Sequence, residues 1–464
     1  MAQAQKQSKS KSAGPTMLTS FNPATGETLG EVRANTPAEV TDAVVAARKV
    51  APEWASIPAE GRARMLREVR YRVYDRLDDI VETVSAECGK PRGEALSADV
   101  ISTLLTLLYF ERNAPRALRP EHPSRTLRWP GVVGPLSGLN ARTEWRPFGV
   151  VGAISPWNYP FFLAFMAFAP ALYAGNVVVV KPSEVTPRVG ELIRDVLEPL
   201  PSGVATVVQG GGDVGAALVD APCDKISFIG SPATGRRIAE AAAKHLTPVV
   251  MELGGQDSAI VCSDADLELA SSGVLWASFV NGGQTCAAVE RAYVVDSVAD
   301  EFERRLVDKY DRLMAEHPDD IGALTVARQL EIVRGHVEDA VDLGAKVLAG
   351  GPDASNGEEP GLKYPPTILE GRSSEMRIFN EETFGPLLPV VRVRDEDEAV
   401  RRANEDGFNL TASVWTRDRR RANALASRIR AGTVAINTHA ETAAAPWSPW
   451  GGVGESGYGR LNGV

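Results

Sequence analysis

From Val150 onward the sequence repeats one pattern, a short β-branched run followed by a stretch with helical spacing. The runs are VVGAI, NVVVV, VATVV, KISFI and PVVME. Strands that read as unbroken apolar runs are buried on both faces, and strands that alternate with helices are joined by crossovers rather than hairpins. The pattern therefore predicts a parallel sheet wound with helices. A second series begins at Asp257, with SAIVC, a helix through Trp276 and Phe279, RAYVV, a further helix, and then LPVVRV, LTASVW and GTVAIN. The expected fold class is α/β, with two open parallel α/β domains in tandem.

The flanking segments read differently. Thr36-Pro37-Ala38-Glu39 supplies a cap, a proline at the first helical position and a glutamate at the third, ahead of Val40, Val44 and Ala47 at helical spacing. Residues 1–17 are polar and of low complexity, without the apolar centre of a secretory signal, and predict a disordered tail. Residues 125–147, rich in proline, glycine and threonine, predict a projecting β-hairpin. The apolar stretch from Phe161 to Val180 resembles a membrane span in length. Pro170, Gly175 and Asn176 divide it, which predicts a buried helix and then a buried strand, with no membrane span.

Charge and cysteine usage remove whole classes of function. Sixty acidic against fifty basic side chains leave a net charge of −10, which repels a phosphate backbone and argues against nucleic-acid partners. Cys88, Cys223, Cys262 and Cys286 lie too far apart for a disulfide framework, so a reducing, cytoplasmic setting is expected. The histidines stand singly, without a paired ligand, and predict no metal site.

Several short segments carry residue types suited to chemistry. Gly210 to Gly215 matches a G-x-G-x-x-G turn, and Gly230-Ser231-Pro232 joins a strand to a helix that Ser231 can cap, whose free amides suit a pyrophosphate; either is also an ordinary αβ turn. Lys181-Pro182-Ser183-Glu184 follows a buried strand, where a lysine and a carboxylate can bind ribose hydroxyls or simply pair with each other. Cys286 follows a glycine-rich break, a setting for a nucleophile, although most cysteines are small buried hydrophobes. Glu252 ends a β-rich run before two glycines and must be either paired or a tuned acid or base. Asn158, after the first strand, can donate its amide to an oxyanion.

Taken in order, PWNYP, KPSE, the GS-x3-G turn, ELGG, GGQTC and EETFGP resemble the aldehyde dehydrogenase superfamily, and the likeness runs from Asn22 to Arg460. The resemblance implies that Cys286 is the nucleophile, Glu252 the general base, and Asn158 part of the oxyanion hole. It implies a cofactor site for NAD, with NADP possible, built from Trp157, Lys181, Ser183, Glu184, Gly230, Ser231, Leu253, Glu382 and Phe384. It further implies a Rossmann-like NAD-binding domain over 18–124 and 148–252, a catalytic domain over 253–437, and oligomerisation elements at 125–147 and 438–464, hence a homodimer or homotetramer. This sequence departs from the family pattern in carrying Trp450 where phenylalanine is usual and in stopping at Val464, soon after the SG-x-GR motif.

The implied reaction is oxidation of a small aldehyde to its acid through a cysteine thiohemiacetal and thioester. The alternatives are a cofactor-independent thiol esterase using Cys286 and Glu252, or a non-catalytic nucleotide-binding protein. The substrate pocket implied by the same resemblance comprises Tyr159, Phe162, Leu163, Met166, Val280, Thr285 and Ala287. No arginine occurs from Tyr159 to Ala174, so apolar aliphatic or aromatic aldehydes are expected. The loop from Thr438 to Ser448 leaves one opening against that expectation, since His439 and Glu441 could reach the tunnel mouth from it and recognise a polar or cationic group.

Overall fold

Each of the five runs from Val150 forms a strand of one sheet. The computed structural model describes residues 16–121, 142–352, 361–371, 374–405 and 407–463. In space the strands run Val249–Glu252, Lys225–Ile229, Val150–Ile154, Val177–Lys181 and Ala205–Val207, all parallel. The chain starts at the central strand Val150–Ile154, winds outward on one side, then returns to the other. That reversal opens a crevice at the carboxyl ends of the strands beside Val150–Ile154, the place where open α/β sheets bind ligands. Val177 to Val180 are fully buried because helices cover both faces.

A sixth strand, Gly457–Tyr458, returns from the end of the chain and pairs antiparallel with Val249–Glu252, placing Gly457 opposite Glu252. Nothing in the β-branched pattern signals this strand, because it is only two residues long and glycine-rich.

The second series forms a seven-stranded sheet in the order Lys346–Ala349, Thr367–Glu370, Leu387–Val393, Val289–Val295, Asp257–Val261, Thr411–Trp415 and Thr433–Ile436. Only Lys346–Ala349 is antiparallel to its neighbour. The α/β class with two open, mainly parallel sheets is thus the observed architecture.

The helix Pro37–Ser56 begins with the expected reciprocal cap, Thr36 accepting from the Glu39 amide and Glu39 from that of Thr36. Phe161 to Val180 divides as expected into the helix Pro160–Tyr173 and the strand Val177–Lys181. A different run, Arg92–Ala117, is long and apolar enough by length and composition to cross a bilayer. In the fold it packs against Pro160–Tyr173 and carries the buried carboxylate Asp99. Most of the expected hairpin at 125–147 lies outside the described residues, although Glu121 and Thr143 at its base pair as an antiparallel bridge. Most of the expected tail lies outside them too. Its last residue, Met17, instead opens a strand and pairs with Arg33.

Candidate active site

The two sheets meet across a cleft of about 1220 Å3. The first sheet contributes from its carboxyl edge: Trp157, Asn158 and Tyr159 after one strand, Lys181, Ser183 and Glu184 after the next, then Gly230 and Ser231, and finally Glu252 and Leu253. The second sheet contributes from its amino edge. Gly254 precedes Asp257–Val261, Cys286 and Ala287 precede Val289–Val295, Glu382 and Phe384 precede Leu387–Val393, and Leu410 precedes Thr411–Trp415. Phe162, Leu163, Met166, Val280 and Thr285 complete the set, so every expected catalytic, cofactor and pocket residue lines this one cleft.

Cys286 sits after a turn that only unusual backbone conformations permit. Asn281, Gly282 and Gly283 all have positive φ, at 55°, 61° and 71°. A side chain at Gly283 would strike the Gly385 carbonyl, so glycine is required there by close approach as well as by φ. The turn is held from a distance: both carboxylate oxygens of Glu94 accept from the Asn281 amide, and the Asn281 side chain donates to the carbonyls of Asn158 (3.0 Å) and Gln284 (3.2 Å). The Asn158 side chain in turn donates to the Gln284 carbonyl at 2.9 Å. One of its two amide hydrogens is thereby fixed in direction, which orients the other.

Beneath this turn lies a buried ion pair absent from the sequence reading. Lys90 and Asp99 are 3.1 Å apart and almost wholly shielded from solvent. The Lys90 ammonium also donates to the Asn158 carbonyl at 2.6 Å and lies 4.1 Å above the Tyr159 ring. Asp99 accepts from the amides of Phe161 and Phe162 at the start of the helix Pro160–Tyr173. The visible signal was a lone carboxylate in the apolar run ALSADVISTLL, since an unpaired charge there is costly.

Glu252 is 3% exposed, and neither carboxylate oxygen has a hydrogen-bond partner. Burial pushes its pKa up to about 9, with Arg460 pulling the other way. The Arg460 guanidinium is itself directed to the carbonyls of Gly452 and Gly459. Burial likewise raises the Cys286 thiol, helped by the carboxylates of Asp257, Glu382 and Glu252, so the resting side chain is a thiol and needs a proton acceptor.

At the other end of the cleft Lys181 and Glu184 pair at 2.9 Å. The Ser231 hydroxyl accepts from the Thr234 amide, capping the helix Pro232–Ala243 as expected. Phe384 has φ 49°, a strained value for a bulky residue, and Glu290 holds it by accepting from the Thr383 and Phe384 amides. The Phe384 ring meets Trp157 edge-on at 5.6 Å. Residues 9–464 match the sequence profile described as the Aldehyde dehydrogenase family. The chain belongs to this family. It is 39% identical over 454 residues to 4,4'-diapolycopene aldehyde oxidase of Methylomonas sp, covering 97% of this chain and 83% of the relative. It is 37% identical to betaine aldehyde dehydrogenase of Rhizobium etli, covering 96% and 91%. An NADP dependent enzyme of E. coli superposes with a TM-score of 0.89 at 32% identity, covering 97% and 92%. The Mycobacterium tuberculosis aldehyde dehydrogenase complexed with NAD+ gives 0.88 at 32%, covering 98% and 93%.

In this aldehyde dehydrogenase the structure closes the opening that the sequence left at His439. The side chain is 2% exposed, with Nδ1 2.8 Å from the Ser413 hydroxyl, and burial lowers its pKa to about 3. It is a neutral residue packed under the second sheet's amino edge and does not reach the tunnel mouth. The Glu441 side chain lies outside the described residues. The sequence reading also missed Arg237, Arg328, Gln329 and Trp276, all of which line the cleft. They sit inside helices, where nothing in spacing separates a cleft-facing residue from a solvated one.

Proposed function

We propose that this chain carries out its family's oxidation of an aldehyde to the carboxylic acid by covalent catalysis at Cys286, with NAD as the acceptor. The observation that carries this reading is the convergence of Cys286, the unpartnered carboxylate of Glu252 and the Asn158 amide on one cleft. The residues present fit the cofactor. Lys181 and Glu184 offer a donor and an acceptor for ribose hydroxyls, and the positive N-terminal end of the helix Pro232–Ala243 suits the charge of a pyrophosphate. Glu382 and Phe384 lie on the Cys286 side of the cleft for the nicotinamide riboside. NAD, when bound, supplies the acceptor for the hydride that leaves the thiohemiacetal carbon.

The protein's own part is as follows. The Cys286 thiol releases its proton to solvent water, its sulfur bonds to the aldehyde carbon, and the carbonyl oxygen becomes an alkoxide held by the free Asn158 N–H and the Cys286 backbone amide. Loss of hydride leaves a thioester on Cys286. Glu252 takes a proton from water, the resulting hydroxide attacks the thioester, and the carbon–sulfur bond breaks to release the acid. A thiol esterase would share Cys286 and Glu252, but gives no account of why KPSE and EETFGP line the same cleft.

The domain assignment follows the sheets. The first carries the cofactor and the second the nucleophile, and we assign the protein to the cytoplasm as a homodimer or homotetramer. For the substrate, the relatives' names point to both an apolar polyene aldehyde and a cationic one. The side chains of Phe162, Leu163, Met166 and Val280 favour the apolar class. Tyr159 is already engaged, its hydroxyl 2.6 Å from that of Thr285. The test is NADH formation with hexanal, benzaldehyde, betaine aldehyde and succinic semialdehyde. Preference for the first two is expected, and preference for a charged one would reject the pocket reading. Cys286→Ala should abolish turnover while retaining NAD binding.

A further inference from the structure

We infer that Glu290, four residues beyond Cys286, is a positioning residue for the hydride-transfer half of the reaction: it braces Phe384 against the nucleophile's own strand and takes no part in hydrolysing the thioester. Resting on the aldehyde-oxidising reading of the cleft, this role divides the two half-reactions at one side chain.

Glu290 is the second residue of the strand Val289–Val295, is 3% exposed and is not among the residues that line the cleft. Its carboxylate faces the backbone of the neighbouring loop. The Thr383 amide donates to both oxygens, at 3.1 and 3.0 Å, and the Phe384 amide donates to one of them at 2.8 Å. Both oxygens are thus engaged by the main chain, away from any substrate, so the group holds a conformation and does not exchange protons with the reacting atoms.

The conformation it holds is a strained one. Phe384 keeps φ at 49°, in the left-handed region that bulky side chains avoid. The rest of the loop has other ties. Gln256 donates to the Glu381 carbonyl, the Gly255 amide to the Glu382 carboxylate at 3.1 Å, and Gln329 to the Thr383 carbonyl, while His336 Nδ1 lies 3.0 Å from the Thr383 hydroxyl. Among the described residues only Glu290 accepts from the Phe384 amide. Releasing that amide would let φ return to negative values and turn the ring away from Trp157, its edge-on partner at 5.6 Å. Because Cys286 and Glu290 lie on one short stretch of chain, the brace fixes the Phe384 ring relative to the sulfur. Hydride transfer is sensitive to such placement, since an error of about 1 Å can cost ~10²-fold in rate. Thioester hydrolysis depends instead on Glu252, which ends a strand of the other sheet.

An aryl ester separates the two halves, because it carries its own leaving group and needs no hydride acceptor. With p-nitrophenyl acetate the Cys286 thiol loses its proton to solvent, the sulfur bonds to the acetyl carbon as p-nitrophenolate departs, and water hydrolyses the thioester with Glu252 as base. The experiment compares the wild type, Glu290→Gln and Glu290→Asp in ester hydrolysis without cofactor and in the single-turnover NADH burst with hexanal at saturating NAD. Glutamine sets an NH2 group against the Thr383 amide, and aspartate withdraws both oxygens by one methylene. We expect the burst to slow about 10–10²-fold in both variants with ester hydrolysis within about twofold of wild type, and the deuterium isotope effect with 1-deuterated hexanal to rise. A burst as fast as wild type in either variant would overturn the proposal. A parallel loss of ester hydrolysis would overturn it too, and make Glu290 a general support of the fold. A wild type that hydrolyses the ester but forms no NADH with any aldehyde would overturn the reaction assignment itself, and this role with it.

Discussion

Replacing Glu252 by glutamine should slow the enzyme and stabilise it, and both effects should depend on pH in a direction the structure dictates. The carboxyl group ends its strand with both oxygens buried and unpartnered, and its pKa rises from 4.5 to about 9. At pH 7 only about one molecule in a hundred then holds the ionised base. Steady-state turnover of the wild type should therefore climb about tenfold per pH unit from pH 6 to 8 and level off near pH 9. The folded protein keeps a proton that the unfolded chain releases above pH 4.5, so this group costs stability as pH rises from 4.5 towards 9. At 1.36 kcal/mol per unit, the cost at pH 7 is about 3 kcal/mol. Glu252→Gln does not titrate, so its stability relative to wild type should grow by about 1.4 kcal/mol per pH unit between pH 5 and 8. Denaturant titrations of both proteins at several pH values measure this, and stopped-flow absorbance at 340 nm follows the first turnover. The variant should keep a single-turnover burst of NADH and lose steady-state turnover. A pH-independent stability difference, with wild-type turnover already at its plateau at pH 7, would refute the reasoning.

Other substitutions probe the remaining parts. Asn158→Ala removes one oxyanion donor and should lower kcat by about 10²–10³, or about 3–4 kcal/mol; a loss under tenfold would remove it from that role. Lys90→Met leaves Asp99 buried and unpaired, and should destabilise the protein by about 3–5 kcal/mol in denaturant titration. Its kcat should fall with KM little changed, since the Asn158 carbonyl loses its ammonium donor, and a KM effect alone would contradict that link. Glu184→Ala should move the kcat/KM ratio towards NADP, because a carboxylate near the 2′ position repels a phosphate; an unmoved ratio would place the adenosine ribose elsewhere.

The residues proposed for the chemistry were legible through the succession of short motifs that resembles the aldehyde dehydrogenase superfamily. Taken singly, Cys286 read equally as a small buried hydrophobe and Glu252 as a paired carboxylate. What holds them was not legible. Glu94 meets Asn281 across 187 positions, and Lys90 meets Asn158 across 68. No local period reports such pairings. The strand Gly457–Tyr458, which borders Glu252, is too short and too rich in glycine to leave a propensity signal. His439 shows the converse: its place in a loop near the last motif left access to substrate open, and its contacts with Ser413 and Thr411 bury it. The rule that ligands bind at carboxyl ends applied to the first sheet only, because the second faces the cleft with its amino edge.

The central claim is that an acyl group passes through the sulfur of Cys286. Glu252→Gln mixed with NAD and a stoichiometric amount of hexanal should hold the thioester long enough for intact and peptide mass spectrometry after an acid quench. The account predicts a mass increase equal to one hexanoyl group, located on the peptide containing Cys286 and missing from Cys286→Ala treated in the same way. NADH formed in a single turnover with Cys286 unmodified, or an acyl group carried on Cys88, Cys223 or Cys262, would contradict it.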